Sequence, residues 1–214
     1  MPVPVAGGTF GRFTIEEETR MAVLMIMEAD GVTTEDYDRL NDAVGVHGDE
    51  DAPDGLIQHS AGVDENGRFV VVDLWESEEK LAAFFERLGP AMEQVGMPQT
   101  QPKIMQAHNH TRGTSEEAAV LVLIDVPEAG TAEYDEMLKR MPAHVNDEHP
   151  AHIHIAASDG NGLVVADLWG SEEAFAQFAQ EQIGPAAQQA GVSDITPRMV
   201  KVHNTIRGKT GVNS

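Results

Sequence analysis

The stretch "VVVDLWESEE" spans residues 70–79, and "VVADLWGSEE" spans residues 164–173. One phrase is thus written twice, about 94 positions apart, and the two copies hold the chain's two tryptophans, Trp75 and Trp169. The match extends outward. "AVLMIME…TTEDYDRL" (22–40) parallels "AVLVLID…GTAEYDEML" (119–138), which puts the two tyrosines, Tyr37 and Tyr134, in register. "LGPAMEQVG" (88–96) parallels "IGPAAQQAG" (183–191), and "AHNHTRG" (107–113) parallels "VHNTIRG" (202–208). Two repeats follow, 21–113 and 118–208, joined by the polar link "TSEE", with an unmatched extension at 1–20 and a tail at 209–214.

Each repeat predicts strand, helix, strand, strand, helix, strand. "MAVLMIM" is a buried strand by its short apolar run, and "TTEDYDRLNDAV" starts with the threonines and acids of a helix N-terminus. "GLIQHSAGVDENGRFVVVDLW" predicts a hairpin turning at Asn66-Gly67, and its counterpart turns at Asn161-Gly162. "SEEKLAAFFERLGPA" predicts an amphipathic helix interrupted at Gly89-Pro90. Ser77 and Ser171 are placed to cap these helices, with Glu78-Glu79 and Glu172-Glu173 against the positive end of the dipole. The order βαββαβ is the ferredoxin-like unit, an α+β fold.

The chain resembles the dimeric α/β-barrel superfamily, in particular its antibiotic-biosynthesis-monooxygenase-like and stress-responsive members. "DLWESEEKLAAFFERLGPA", "DLWGSEEAFAQFAQEQIGPA", "HNHTRG" and "HNTIRG" carry the resemblance. It implies two units packed sheet to sheet as a barrel, here an intramolecular pseudo-dimer. It also implies small-molecule chemistry: some members oxidise aromatic polyketides without metal or flavin, and others degrade heme with an Asn, a Trp and a His. Trp75 and Trp169 match that Trp. Phe84-Phe85 and Phe178-Ala179 stand where a heme-ligating His would fall, and the first strand supplies no Asn, so heme degradation is disfavoured.

Composition narrows the partners. Thirty-six acidic residues against 14 basic ones give a formal charge of −22, which repels a phosphate backbone and argues against nucleic acid. The absence of cysteine removes thiolate catalysis, cysteine-based zinc sites and disulfides. No apolar run approaches the ~18 residues of a membrane helix, and "MPVPVAGGTFGRF" lacks the basic start and apolar run of a signal peptide, so a cytoplasmic location is expected. Gly-rich phosphate loops, serine nucleophile elbows and dinucleotide fingerprints are missing from the sequence, and no cofactor is expected.

Histidines supply the candidate chemistry. His47 pairs with His144, His59 with His154, and His108 with His203 across the repeats, whereas His110, His149 and His152 have no counterpart. In a sheet ordered 4-1-3-2, three strand spacings of about 4.8 Å separate His59 from His108 by roughly 14 Å. Barrel closure, as the resemblance implies, brings His59 towards His203 and His154 towards His108. These four are the candidate catalytic residues, as proton-handling or orienting groups. Trp75, Trp169, Asp73, Asp167, Tyr37 and Tyr134 are the candidate substrate-binding residues, with core packing as the alternative role. A two-residue turn at Asn161-Gly162 sets His154 opposite Trp169. Alternation places His152 with His154, and His108 with His110, on common strand faces as His-x-His pairs that bind metals in other settings, but no complete ligand set with firm spacing is visible. Glu76 after one Trp and Gly170 after the other predict unequal sites.

The leading expectation is a barrel binding a hydrophobic small molecule, acting as a cofactor-independent monooxygenase or cyclase on an aromatic substrate. A non-catalytic stress-responsive or ligand-binding barrel and a metal-binding protein using the His-x-His strands are the alternatives. Further self-association of the pseudo-dimer is compatible with the sequence.

Overall fold

A computed structural model describes residues 21–127, 129–142, 145, 148–191 and 195–209. The first repeat contributes β1 (Val23–Ala29), α1 (Thr34–Val44), β2 (Leu56–Asp64), β3 (Phe69–Trp75), α2 (Glu78–Val95) and β4 (Lys103–Arg112). The second contributes β5 (Val120–Val126), α3 (Thr131–Leu138), β6 (Ile153–Ser158), β7 (Leu163–Trp169), α4 (Glu172–Phe178), α5 (Gly184–Ala190) and β8 (Pro197–Arg207). A π-helical segment, Ala179–Ile183, joins α4 to α5.

The eight strands close into a barrel in the order β1-β3-β2-β8-β5-β7-β6-β4. Each repeat therefore keeps the 4-1-3-2 sheet of a ferredoxin-like unit. The seams are β2 with β8 and β4 with β6, second strand of one repeat against fourth strand of the other, both antiparallel. All strand edges are paired by this arrangement, which removes the exposed N–H and C=O rows of an open sheet.

The repeated phrase is a strand buried on both faces. Val70, Val72 and Leu74 point into the barrel with Val164, Ala166 and Leu168 of the other copy, and form one apolar cluster. Trp75 packs on the opposite face, under the helices, with Leu81 and Phe84, and Trp169 packs likewise with Phe175 and Phe178. Alternation puts Asp73 and Asp167 in that same outer layer, where both are buried. A buried carboxylate in an apolar layer needs partners, and those partners make the site.

Ser77 Oγ accepts the Lys80 N–H and Ser171 Oγ accepts the Ala174 N–H, as the acidic helix starts predict. Two local expectations fail. α2 runs unbroken through Pro90; only its counterpart is interrupted, by the π-helical turn before Gly184-Pro185. The second hairpin is closed by four residues, since Ser158 pairs with Leu163 and Gly160 carries the positive φ of 86°. His154 consequently lies opposite Asp167, not Trp169.

The closing "RG" of each repeat also has a physical cause. A Cβ at Gly113 would sit 2.0 Å from the Ala151 carbonyl oxygen, and one at Gly208 would sit 1.6 Å from that of Leu56. Each glycine marks where the fourth strand crosses the other repeat's chain, so the seam admits no side chain there.

Candidate active site in two helix-covered cavities

The site grows from the hairpin register. His59 pairs with Asp73 across β2 and β3, and His154 pairs with Asp167 across β6 and β7, the same register in both repeats. Each pair projects outward beneath the first helix of its repeat. Tyr37, in the first turn of α1, and Tyr134, in the first turn of α3, point down onto these histidines and are buried.

A directed chain of hydrogen bonds results. His59 Nδ1 lies 2.6 Å from Asp73 Oδ1, and its Nε2 lies 2.7 Å from the Tyr37 hydroxyl. Trp75 Nε1 donates to the other oxygen of Asp73 at 3.3 Å. The carboxylate only accepts, so His59 carries its proton on Nδ1, and Nε2 accepts the Tyr37 O–H. The phenolic oxygen in turn accepts from Asn204 Nδ2 at 2.9 Å. The second repeat reproduces this: His154 Nδ1 to Asp167 at 2.7 Å, His154 Nε2 to Tyr134 at 2.7 Å, and Asn109 Nδ2 donating to Tyr134 at 2.9 Å.

The asparagines come from the opposite repeat, and a bulge delivers them. On β8, Asn204 pairs with Ala61 and Val202 with Gly62, which leaves His203 as the extra residue; on β4, Asn109 pairs with Ala156 and Ala107 with Ala157, which leaves His108 extra. A bulge turns two consecutive side chains to one face. Asn204 thereby reaches the Tyr37 hydroxyl, while His203 bonds Asp38 at 2.8 Å and meets the Tyr37 ring edge-on at 5.8 Å. His108 bonds Asp135 at 2.8 Å and meets Tyr134 in the same way. The approach of His59 to His203, and of His154 to His108, is therefore indirect: each pair flanks a tyrosine, and the cross-repeat hydrogen bond comes from the asparagine. Neither Asn109 nor Asn204 was singled out by the sequence reasoning, although "HN" stands in both copies.

The bulge also separates His108 from His110. Asn109 and Thr111 face the cavity, so His110 between them turns to the opposite face from His108. His152 contacts Arg112 and the Ser115 carbonyl, whereas His154 belongs to the tyrosine network. His144, the partner of His47, lies outside the described residues.

Beside each tyrosine is an apolar cavity between sheet and helices. The first, about 80 Å³, is lined by Tyr37, His59, Asp73, Trp75, Phe84 and Met92 among others. The second, about 90 Å³, is lined by Tyr134, His154, Asp167, Asn109, His149 and Phe178 among others. Both exceed the roughly 10–15 Å³ that one water requires. They are unequal, but through His149 rather than through Glu76 and Gly170. His149 stacks on His154 with ring centroids 4.9 Å apart and leans on Trp169 and Phe178. Burial pushes its pKa down to about 4, so the ring is neutral at neutral pH.

Burial likewise pushes the Tyr37 phenol up to about 12, against the hydrogen bonds from Asn41 and Asn204, and raises Tyr134. Both hydroxyls are protonated donors at neutral pH. The folded chain holds these protons after the unfolded chain has lost them, so their contribution to stability is complete below the ordinary phenol value of about 10; for Tyr37 it is lost as pH rises through about 12. A spectrophotometric titration checks this, because the chain has two tyrosines. Phenolate absorbance is expected to stay flat through pH 10 in folded protein and to rise there once the chain is unfolded. A phenolate step near the ordinary phenol value in folded protein contradicts it.

No protein-family profile and no curated protein matches the sequence. Solved structures do share the architecture. A candidate monooxygenase from Lactobacillus acidophilus superposes with a TM-score of 0.64 at 11% identity, over 87% of this chain and 96% of that one. A second, from Fusobacterium nucleatum subsp. nucleatum, gives 0.64 at 13% identity, over 90% and 96%. The likeness is one of fold, a closed barrel of ferredoxin-like units. An uncharacterised ferredoxin-fold protein related to antibiotic biosynthesis monooxygenases, from Listeria monocytogenes, gives 0.52 at 9% identity, over 89% and 99%. Alignments of this extent take in both repeats of the present barrel. No described helix is long and apolar enough to cross a membrane.

Proposed function

We propose that this barrel is a cofactor-independent monooxygenase for a small hydrophobic carbon acid whose conjugate base is delocalised over an aromatic ring. The observation that carries the proposal is the directed chain Asn–Tyr–His–Asp, made twice and each time set against an apolar cavity. An apolar, helix-covered cavity selects a hydrophobic ligand, and the indole of Trp75 gives the first cavity a flat wall.

The chain moves one proton. The substrate gives its acidic proton to the Tyr37 oxygen as the hydroxyl proton passes to His59 Nε2, and Asp73 holds the imidazole in the tautomer that can accept it. The Asn204 amide steadies the phenolic oxygen while charge crosses it. The delocalised anion then transfers one electron to dioxygen, and the radical pair combines with formation of a C–O bond. Return of the proton from His59 through Tyr37 gives a secondary hydroperoxide on the former methylene carbon. Loss of water leaves the ketone, so that the methylene compound and dioxygen become the ketone and one water.

An oxygen electrode tests the reading with fused-ring aromatic ketones and phenols that carry an activated methylene group. The expected result is uptake of one dioxygen per substrate oxidised, with no flavin, nicotinamide or added metal. Tight binding of such compounds without oxygen uptake by any of them would replace this reading with a non-catalytic binding barrel.

A further inference from the structure

The second cavity contains a grouping that the first lacks. His149, His154 and Asp167 each offer one ligand atom, and those atoms all lie within 4.8 Å of one another. All three line the cavity, which leaves a further coordination position facing open space. The first cavity has the same His–Asp pair, but its remaining wall includes Pro53 and Leu56 and no second imidazole. We propose that the second cavity is a binding site for one borderline divalent ion of the zinc class, held by His149, His154 and Asp167.

Two imidazoles and one carboxylate, with a position left open, form the ligand set of catalytic rather than structural zinc sites. Bonds of about 2.0–2.1 Å in tetrahedral geometry need ligand atoms roughly 3.3 Å apart. The His154–Asp167 contact of 2.7 Å must open slightly, and the longer separations must close by about 1.5 Å at most. His149 would exchange its 3.2 Å hydrogen bond from the Ala151 N–H for a coordinate bond. His154 would bind through Nδ1 and carry its proton on Nε2, where the Tyr134 oxygen is 2.7 Å away to accept it. That is the outer partner a metal-bound imidazole requires. The Tyr134 hydroxyl proton is then free to point into the cavity. Ion and proton relay compete for His154 and Asp167, so a loaded chain keeps the Asp–His–Tyr relay in the first cavity alone.

Co²⁺, titrated into chelator-treated full-length protein, reports on the site by its visible absorption, which does not depend on turnover. One equivalent per chain is expected, with quenching of Trp169 emission in a Trp75→Phe background, since His149 is 5.7 Å from the Trp169 ring. His149→Phe keeps the ring stack and removes the nitrogens, and should weaken binding at least a hundredfold with the near-ultraviolet circular dichroism unchanged. His47, set between Asp42 and Asp51 on the surface, is the competing site, and binding should survive His47→Ala. His149→Gln should recover neither the absorption nor the affinity. Absence of Co²⁺ binding, two equivalents per chain, or binding that survives His149→Phe would each overturn the proposal. Because binding is read directly, its failure leaves the oxygenase reading untouched.

Discussion

Tyr37→Phe combined with Tyr134→Phe is expected to lower oxygen uptake by about 10²–10⁴-fold, the range of a lost general acid–base group. The substitution removes two oxygen atoms and no ring. The ring at position 37 keeps its contacts with Phe69 and His203, and the ring at position 134 keeps its contact with His108. What disappears is the link between substrate and imidazole: His59 Nε2 and His154 Nε2 lose the hydroxyl they face, and the Asn204 and Asn109 amides lose their acceptor. The expected stability cost is about 1–3 kcal/mol for each group left unsatisfied, two in each single variant and four in the double, so far-ultraviolet circular dichroism is read alongside oxygen uptake to establish that the double variant is folded. Each single variant should retain the activity of the other cavity. Wild-type oxygen uptake in the folded double variant contradicts the relay.

The largest stability effects are expected at the repeated tryptophans. Both indoles are 1% exposed, and Trp→Ala at either position should cost about 3–5 kcal/mol through transfer and cavity terms. Trp75→Phe and Trp169→Phe should differ. Trp75 Nε1 donates to Asp73, whereas the buried Trp169 Nε1 has no partner among the described residues. Trp75→Phe therefore loses a charge-assisted hydrogen bond, about 1.5–3 kcal/mol, and Trp169→Phe loses none. Denaturant unfolding of the four variants checks the order. Trp75 also lines its cavity, so an aromatic ligand in the first site should quench its emission directly, while Trp169 senses the second site through His149. Equal costs for the two Phe variants would show that the Asp73 contact is not made.

Much of the architecture was legible because the sequence carries it twice. "VVVDLW" alternates two apolar sets with an aspartate among the outer one, a pattern that suits only a strand covered on both faces. The order βαββαβ then left few ways to bury it, and the barrel seams follow from closing the edges. The site was less legible because it depends on departures from regularity. Strict alternation paired His108 with His110, and a one-residue bulge reversed that relation and brought Asn109 to Tyr134. The bulge signal was present as "HN" in both copies, since a regular strand turns only one of two neighbours to the site. His154 was expected opposite Trp169, but a four-residue turn moved it to Asp167. His149 has no matching histidine in the first repeat, so duplication, the main guide along this chain, was silent about it.

Mixing the protein anaerobically with a fused-ring aromatic carbon acid isolates the proton transfer from the chemistry of oxygen. The substrate's conjugate base absorbs at longer wavelength than the acid, so deprotonation in the cavity is visible before any product forms. With wild-type protein the anion band should appear immediately and persist until oxygen is admitted. In Tyr37→Phe combined with Tyr134→Phe it should be lost although the compound still binds. An anion band of equal size in that double variant, or bound substrate that never ionises in the wild type, would contradict the tyrosine relay.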